Sequence, residues 1–197
     1  MYETENQRVA KTDGPSKKFE GYFAKQFRDR DVPVERIVDL GYTPPLCDYF
    51  TIIPEGGAVP GMACFFELLT TSEAELPLDD VEPEILSELA RYGETLPQIH
   101  AGFVLNFRSC PDRKIVYISG VDLKNYVDSN PEETTLSDEF LLQYGISMPM
   151  EKATPRARKA LKMNIPQFLL AIHEADLVRW RVVAATAETA VAALAAA

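Results

Sequence analysis

Positive charge is scarce in this sequence. Lys and Arg total 20 against 30 Asp and Glu, a net charge of −10 over 197 residues. Nonspecific coating of nucleic acid draws its affinity from neutralised phosphates and calls for a basic chain, so the balance counts against that role. It leaves room for an enzyme with a local basic groove, because binding follows charge distribution as well as the total. Cysteine is equally sparse. Cys47, Cys64 and Cys110 are odd in number and far apart, which argues against a disulfide framework or a zinc site. Buried free thiols in a reducing cytoplasm are the expectation. No apolar run reaches the roughly 18 residues of a membrane span, and the charged first thirty residues show no signal-peptide core. The two histidines, His100 and His173, stand alone in sequence and are expected to be hydrogen-bonded structural residues. There is no serine elbow, no Gly-rich phosphate loop and no dinucleotide fingerprint. Gly56-Gly57 precedes a strand, whereas a phosphate loop opens a helix.

What is present is an ordinary globular composition, 46% apolar and 25% charged. PSKKFEGYFAKQFRDRD carries Phe19, Tyr22, Phe23 and Phe27 at helical spacing, with Pro15 at the start and Val32-Pro33 as the stop. Short strands are predicted at 35–41 and 47–54, and a buried one at MACFFELLTT, 62–71. An acidic loop leads to a helix over 84–96. Strands at 99–107 and 115–120 follow, then a short helix at 121–128. LSDEFLLQYG reads as a helix capped by Ser137 or Asp138, and TPRARKALKMN, 154–164, as a basic helix with Pro155 in its first turn. The pattern is an α/β or α+β domain around a mixed central sheet flanked by helices.

Phosphodiester hydrolysis is served by a divalent cation that polarises the phosphate and lowers the pKa of the attacking water. Mg²⁺ takes hard oxygen ligands, often one or two carboxylates with waters and substrate phosphate. Asp48, opening one strand-like run, and Glu67, inside the next, are the candidate pair for Mg²⁺, with Glu20 on the first helix as a third. A glutamate inside ACFFELLTT is expected to be at least half-buried, which is costly for a carboxylate without a partner or a metal.

These residues carry a resemblance. The layout resembles the PD-(D/E)xK restriction-endonuclease-like superfamily. More narrowly, LCDYFTI, ACFFELLTT and LSELARYGETLPQIHAGFVLNF are similar to the nuclease-type domain at the N-terminus of type I restriction R subunits, over roughly residues 15–120. The resemblance implies that Asp48 and Glu67 are the catalytic, metal-binding acids and that Tyr92 is the helix tyrosine of the pattern. Glu88 stands where related nucleases place Gln, and Cys47 where the pattern has Pro. The lysine two residues after Glu67 is missing, and Leu69 occupies its place. In the family that lysine stabilises charge at the reacting phosphate, which leucine cannot do. Lys25 or Lys114 are the places from which a lysine could arrive.

Two readings follow. One is a divergent or catalytically degenerate metal-dependent nuclease-like domain acting on phosphodiesters in DNA. The other is a non-catalytic nucleic-acid or protein-interaction module on the same fold, favoured by Leu69 and the acidic balance. In KATPRARKALK, the one dense basic segment, Arg156, Arg158, Lys159 and Lys162, with Lys152, are the candidates for phosphate contact. The expected organisation is a flexible N-terminus at 1–14, a core at 15–128 and a C-terminal helical extension at 129–197. The Ala-rich end of that extension is a candidate homodimer contact.

Overall fold

The computed structural model describes residues 15–37, 46–57, 59–109, 115–152 and 161–195. In chain order the elements are α1 (Pro15–Arg28), β1 (Glu35–Arg36), β2 (Tyr49–Ile53), β3 (Met62–Thr71) and β4 (Leu76–Pro77). After a short 3-10 turn come α2 (Pro83–Gly93), β5 (Ile99–Phe107), β6 (Ile115–Ser119), α3 (Gly120–Ser129) and β7 (Thr135–Leu136). The chain ends with α4 (Asp138–Tyr144), β8 (Ile146–Ser147), β9 (Met150–Lys152), β10 (Leu161–Met163) and α5 (Ile165–Ala195).

Six strands form the central sheet in the order β1-β2-β3-β5-β6-β8. β3 and β5 run parallel, with Ala63 opposite Ile99 through Thr71 opposite Phe107, and the other pairs are antiparallel. A parallel pair needs a crossover, and α2 supplies it. The architecture is therefore the expected mixed sheet with helices on both faces.

Each face has its own core. Phe19, Phe23 and Phe27 recur every fourth residue along α1 and line one side of it. They meet Phe66 of β3, whose ring also contacts Tyr117 of β6 and Phe168 of α5. On the other face Leu86 and Leu89 of α2 pack with Phe103, Ile118 and Leu123, and with Phe140 of α4. Alternation along β3 sends Phe66 and Leu68 to the first core and Phe65 and Leu69 to the second. Residues beyond 128 complete both cores, Phe168 on one side and Phe140 on the other.

Local chemistry fixes the ends. Asp31 takes a left-handed φ of 55° just after α1, and the Val32 N–H returns to the Phe27 carbonyl at 3.1 Å. Ser119 caps α3 by accepting the Asp122 N–H at 3.0 Å. For α4 the cap is Ser137, which accepts the Phe140 N–H at 3.2 Å. Gly120 is needed where α3 meets α2, since a Cβ there would lie 2.8 Å from the Ala90 nitrogen.

One expectation is corrected. The basic helix predicted to reach residue 164 does not do so, because Leu161–Met163 is a strand paired antiparallel with Met150–Lys152. Residues 153–160 and the N-terminal 1–14 lie outside the described residues.

Candidate active site

The β2–β3 register brings the two candidate acids together. Tyr49 pairs with Phe66, so Asp48 and Glu67 stand one step further along adjacent strands. The Leu68 N–H donates to Asp48 Oδ2 at 2.9 Å, and the Ile37 N–H donates to the Asp48 carbonyl at 2.9 Å. Asp48 is thereby held between its two neighbouring strands. Both acids are half-buried, as expected of Glu67 from its apolar surroundings.

Their electrostatics are costly. Burial raises the Glu67 carboxyl to about 9, helped by the charges of Asp48 and Glu82 and opposed by a hydrogen bond from the Asp48 backbone, with Glu20 adding further. Burial likewise raises Asp48 to about 6, opposed by the Leu68 N–H. Glu20 pushes Asp48 the same way, and Arg36 pushes it back. The neighbouring Cys47 thiol is pushed up to about 12, first by burial and then by Glu67. Glu20 of α1 thus acts on both acids, and Glu82, the residue before α2, acts on Glu67. An array of that kind lowers its energy by taking up a cation, and its hard oxygen donors suit Mg²⁺. Two carboxylates meet the protein share of many Mg²⁺ sites. Among the described residues no group of three or more His, Cys, Asp or Glu side chains is gathered closely enough to hold a metal.

Glu20 of α1 pairs with Arg36 of β1, with Arg36 Nη2 3.2 Å from Glu20 Oε2. Sequence reasoning missed both Arg36 and Glu82. Glu82 is one of five acids between Glu73 and Glu82 and nothing in the sequence separates it from the others. Its position directly before Pro83, the first residue of α2, is the one available signal. Tyr92 packs its ring on Phe65 at 5.4 Å. Glu88 is turned to Arg91, Oε2 to Nη2 at 2.5 Å, on an exposed helix face.

The candidate lysines are elsewhere. Lys25 Nζ lies 2.5 Å from Asp29 Oδ2, and Lys162 approaches the same oxygen at 4.0 Å. Lys114, Arg156, Arg158 and Lys159 lie outside the described residues. Leu69, in the lysine position, packs against the core beside α2.

A second polar cluster ties α5 to the sheet. His100 of β5 is fully buried, and its Nδ1 lies 2.5 Å from Asp176 Oδ2. His100 Nε2 lies 3.2 Å from His173 Nδ1. Arg179 joins Asp176 at 3.0 Å and donates to Ser119 Oγ at 2.6 Å. Both histidines are thus hydrogen-bonded, as the sequence led one to expect.

No protein-family model and no curated protein matches the chain. Among solved structures it is similar to the Holliday junction resolvase Hjc of Archaeoglobus fulgidus, at 12% identity and a TM-score of 0.46, over 66% of this chain and 94% of that one. A likeness at that level carries nothing about activity. Among the described residues no helix is long and apolar enough to cross a membrane.

Proposed function

We propose that this chain is a divergent metal-dependent nuclease-like domain that hydrolyses phosphodiester bonds in DNA. What supports the reading is the register that sets Asp48 beside Glu67 on adjacent segments of the sheet, both half-buried, with the charge of Asp48 raising the proton affinity of Glu67. Such an arrangement weakens the empty fold and is repaid when a cation binds.

Asp48 and Glu67 would hold Mg²⁺, and Glu20 stands near enough to influence both acids. When bound, the ion supplies Lewis-acid polarisation of the phosphate and a more acidic water. The chain's own part is positional. The Leu68 N–H fixes the Asp48 carboxylate, the β2–β3 register sets Glu67 beside it, and the β3 pleat puts Glu67 on the face that α2 covers, with Phe65 and Leu69. The test is cleavage of single-stranded, double-stranded and branched DNA with Mg²⁺ or Mn²⁺, with Asp48→Ala and Glu67→Ala beside the parent. Cleavage lost in both variants supports the reading.

One observation favours a second reading, a non-catalytic interaction module on this fold: Leu69 is packed into the core where the superfamily pattern has lysine. Under that reading the parent binds DNA or a protein partner without cleaving, and Lys162, Arg156, Arg158 and Lys159 are the residues to test. Association of two copies through the C-terminal helix belongs with this reading.

A further inference from the structure

A phosphodiester is an anion, and the site is an array of carboxylates. Fully ionised, Asp48 and Glu67 already match the charge of one divalent ion, and Glu20 acts on both. A substrate phosphate adds another negative charge. Some further cation has to meet it, and Leu69 cannot.

Several of the described cations are engaged by other partners. Lys25 and Lys162 both turn to Asp29. Arg91 turns to Glu88, and Arg30 to Glu151. Arg179 is occupied by Ser119 and Asp176 at the far helix. Arg36 instead pairs with Glu20, the candidate third acid of the site, at 3.2 Å.

We propose that Arg36 is the residue that contacts the substrate phosphate at this site, in the role that Leu69 leaves unfilled; the assignment rests on the nuclease reading above. Among the described residues β1 is an edge strand two residues long, paired only with β2. Its register sets Arg36 opposite Tyr49, directly after Asp48. The Arg36 side chain is 55% exposed, whereas Glu20 beneath it is 15% exposed. The guanidinium therefore reaches solvent from a strand next to the one that follows Asp48, and its planar fork of donors matches two phosphate oxygens. Among the described residues its one ion pair is with Glu20. That contact engages Nη2, one end of the fork.

The test compares parent, Arg36→Ala, Arg36→Lys and a control on α3, Lys124→Ala, whose ammonium pairs with Asp128. DNA binding is measured by fluorescence anisotropy in Ca²⁺ over a range of salt, and cleavage in Mg²⁺ or Mn²⁺. Far-UV circular dichroism confirms that each variant is folded, and Arg36→Lys keeps the comparison usable should Arg36→Ala unfold. Expected for Arg36→Ala is a cleavage rate lower by about 100-fold, the scale of losing one charge-stabilising donor. The salt slope of binding is expected to fall by about 1. Arg36→Lys retains part of both, and Lys124→Ala matches the parent. A parent that cleaves, with Arg36→Ala cleaving and binding equally well, overturns the Arg36 assignment and leaves the nuclease reading standing. A parent that neither cleaves nor binds overturns both.

Discussion

Asp48 accepts the backbone N–H of Leu68 at 2.9 Å, a bond that holds its carboxylate beside Glu67 on the next strand. The same bond that orders Asp48 favours its charged form, while burial and Glu20 oppose it. Glu67 has the heavier penalty, since burial and its acidic neighbours act together. The fold therefore carries two carboxyls that bind protons more tightly than they do in the unfolded chain.

That difference sets a pH dependence. Stability from a raised carboxyl is fully present below the unfolded value, roughly 4, and is lost as pH rises through the folded value. For Asp48 the loss runs to about 6 and for Glu67 to about 9. The denaturation midpoint of the parent should thus fall between pH 5 and pH 9 without divalent ions. Glu67→Gln should remove most of the slope above pH 6. At pH 8 it should be more stable than the parent by about 1–3 kcal/mol, the scale of relieving a poorly satisfied buried group. Urea melts at several pH values check this.

Asp176 should be hard to replace. It stands between the fully buried His100 and Arg179. Asp176→Ala leaves both without that partner and should cost about 3–5 kcal/mol, the usual result of breaking a buried charged pair from one side. Asp176→Asn, which keeps a hydrogen-bonding oxygen, should cost less. Denaturant titration compares them.

Phe66 should be the most sensitive position on β3. It is fully buried among Phe23, Phe27, Tyr117 and Phe168. Phe66→Ala should destabilise by about 3–5 kcal/mol. Phe65→Ala, at a half-buried ring on the other face, should cost less. The same titrations rank the two.

Gly102 permits the close approach of β5 and β6. A Cβ there would lie 2.2 Å from the Ile118 carbonyl oxygen and 2.9 Å from the Tyr117 ring. Gly102→Ala should cost about 1–3 kcal/mol or more. Gly57→Ala, whose Cβ meets nothing closer than 3.9 Å, should stay within about 0.5 kcal/mol of the parent. Thermal melts of the two variants separate the cases.

Much of the sheet was legible because its strands are apolar runs between breakers. MACFFELLTT and IHAGFVLNF become β3 and β5 at the bounds read from sequence. The first helix was legible from its aromatic spacing. β10 was not, because Lys and Arg after Pro155 carry a helical signal and the partner that makes Leu161–Met163 a strand lies at Met150–Lys152. β4 and β7 are two residues each, too short to show a period. At the candidate site, Asp48 and Glu67 could be singled out because acids stand out in apolar strands. Arg36 and Glu82 could not, since their relation to Asp48 and Glu67 comes from strand pairing and a helix start. The His100–Asp176 contact spans 76 positions, which no local pattern encodes.

The most direct test of the metal-site reading is calorimetric titration of Mn²⁺ into the parent, Asp48→Asn and Glu67→Gln at pH 8, with no nucleic acid present. Saturable binding of about one ion per chain to the parent, lost in both variants while they remain folded, is the expected result. Equal binding by all three proteins, or none by the parent, contradicts it.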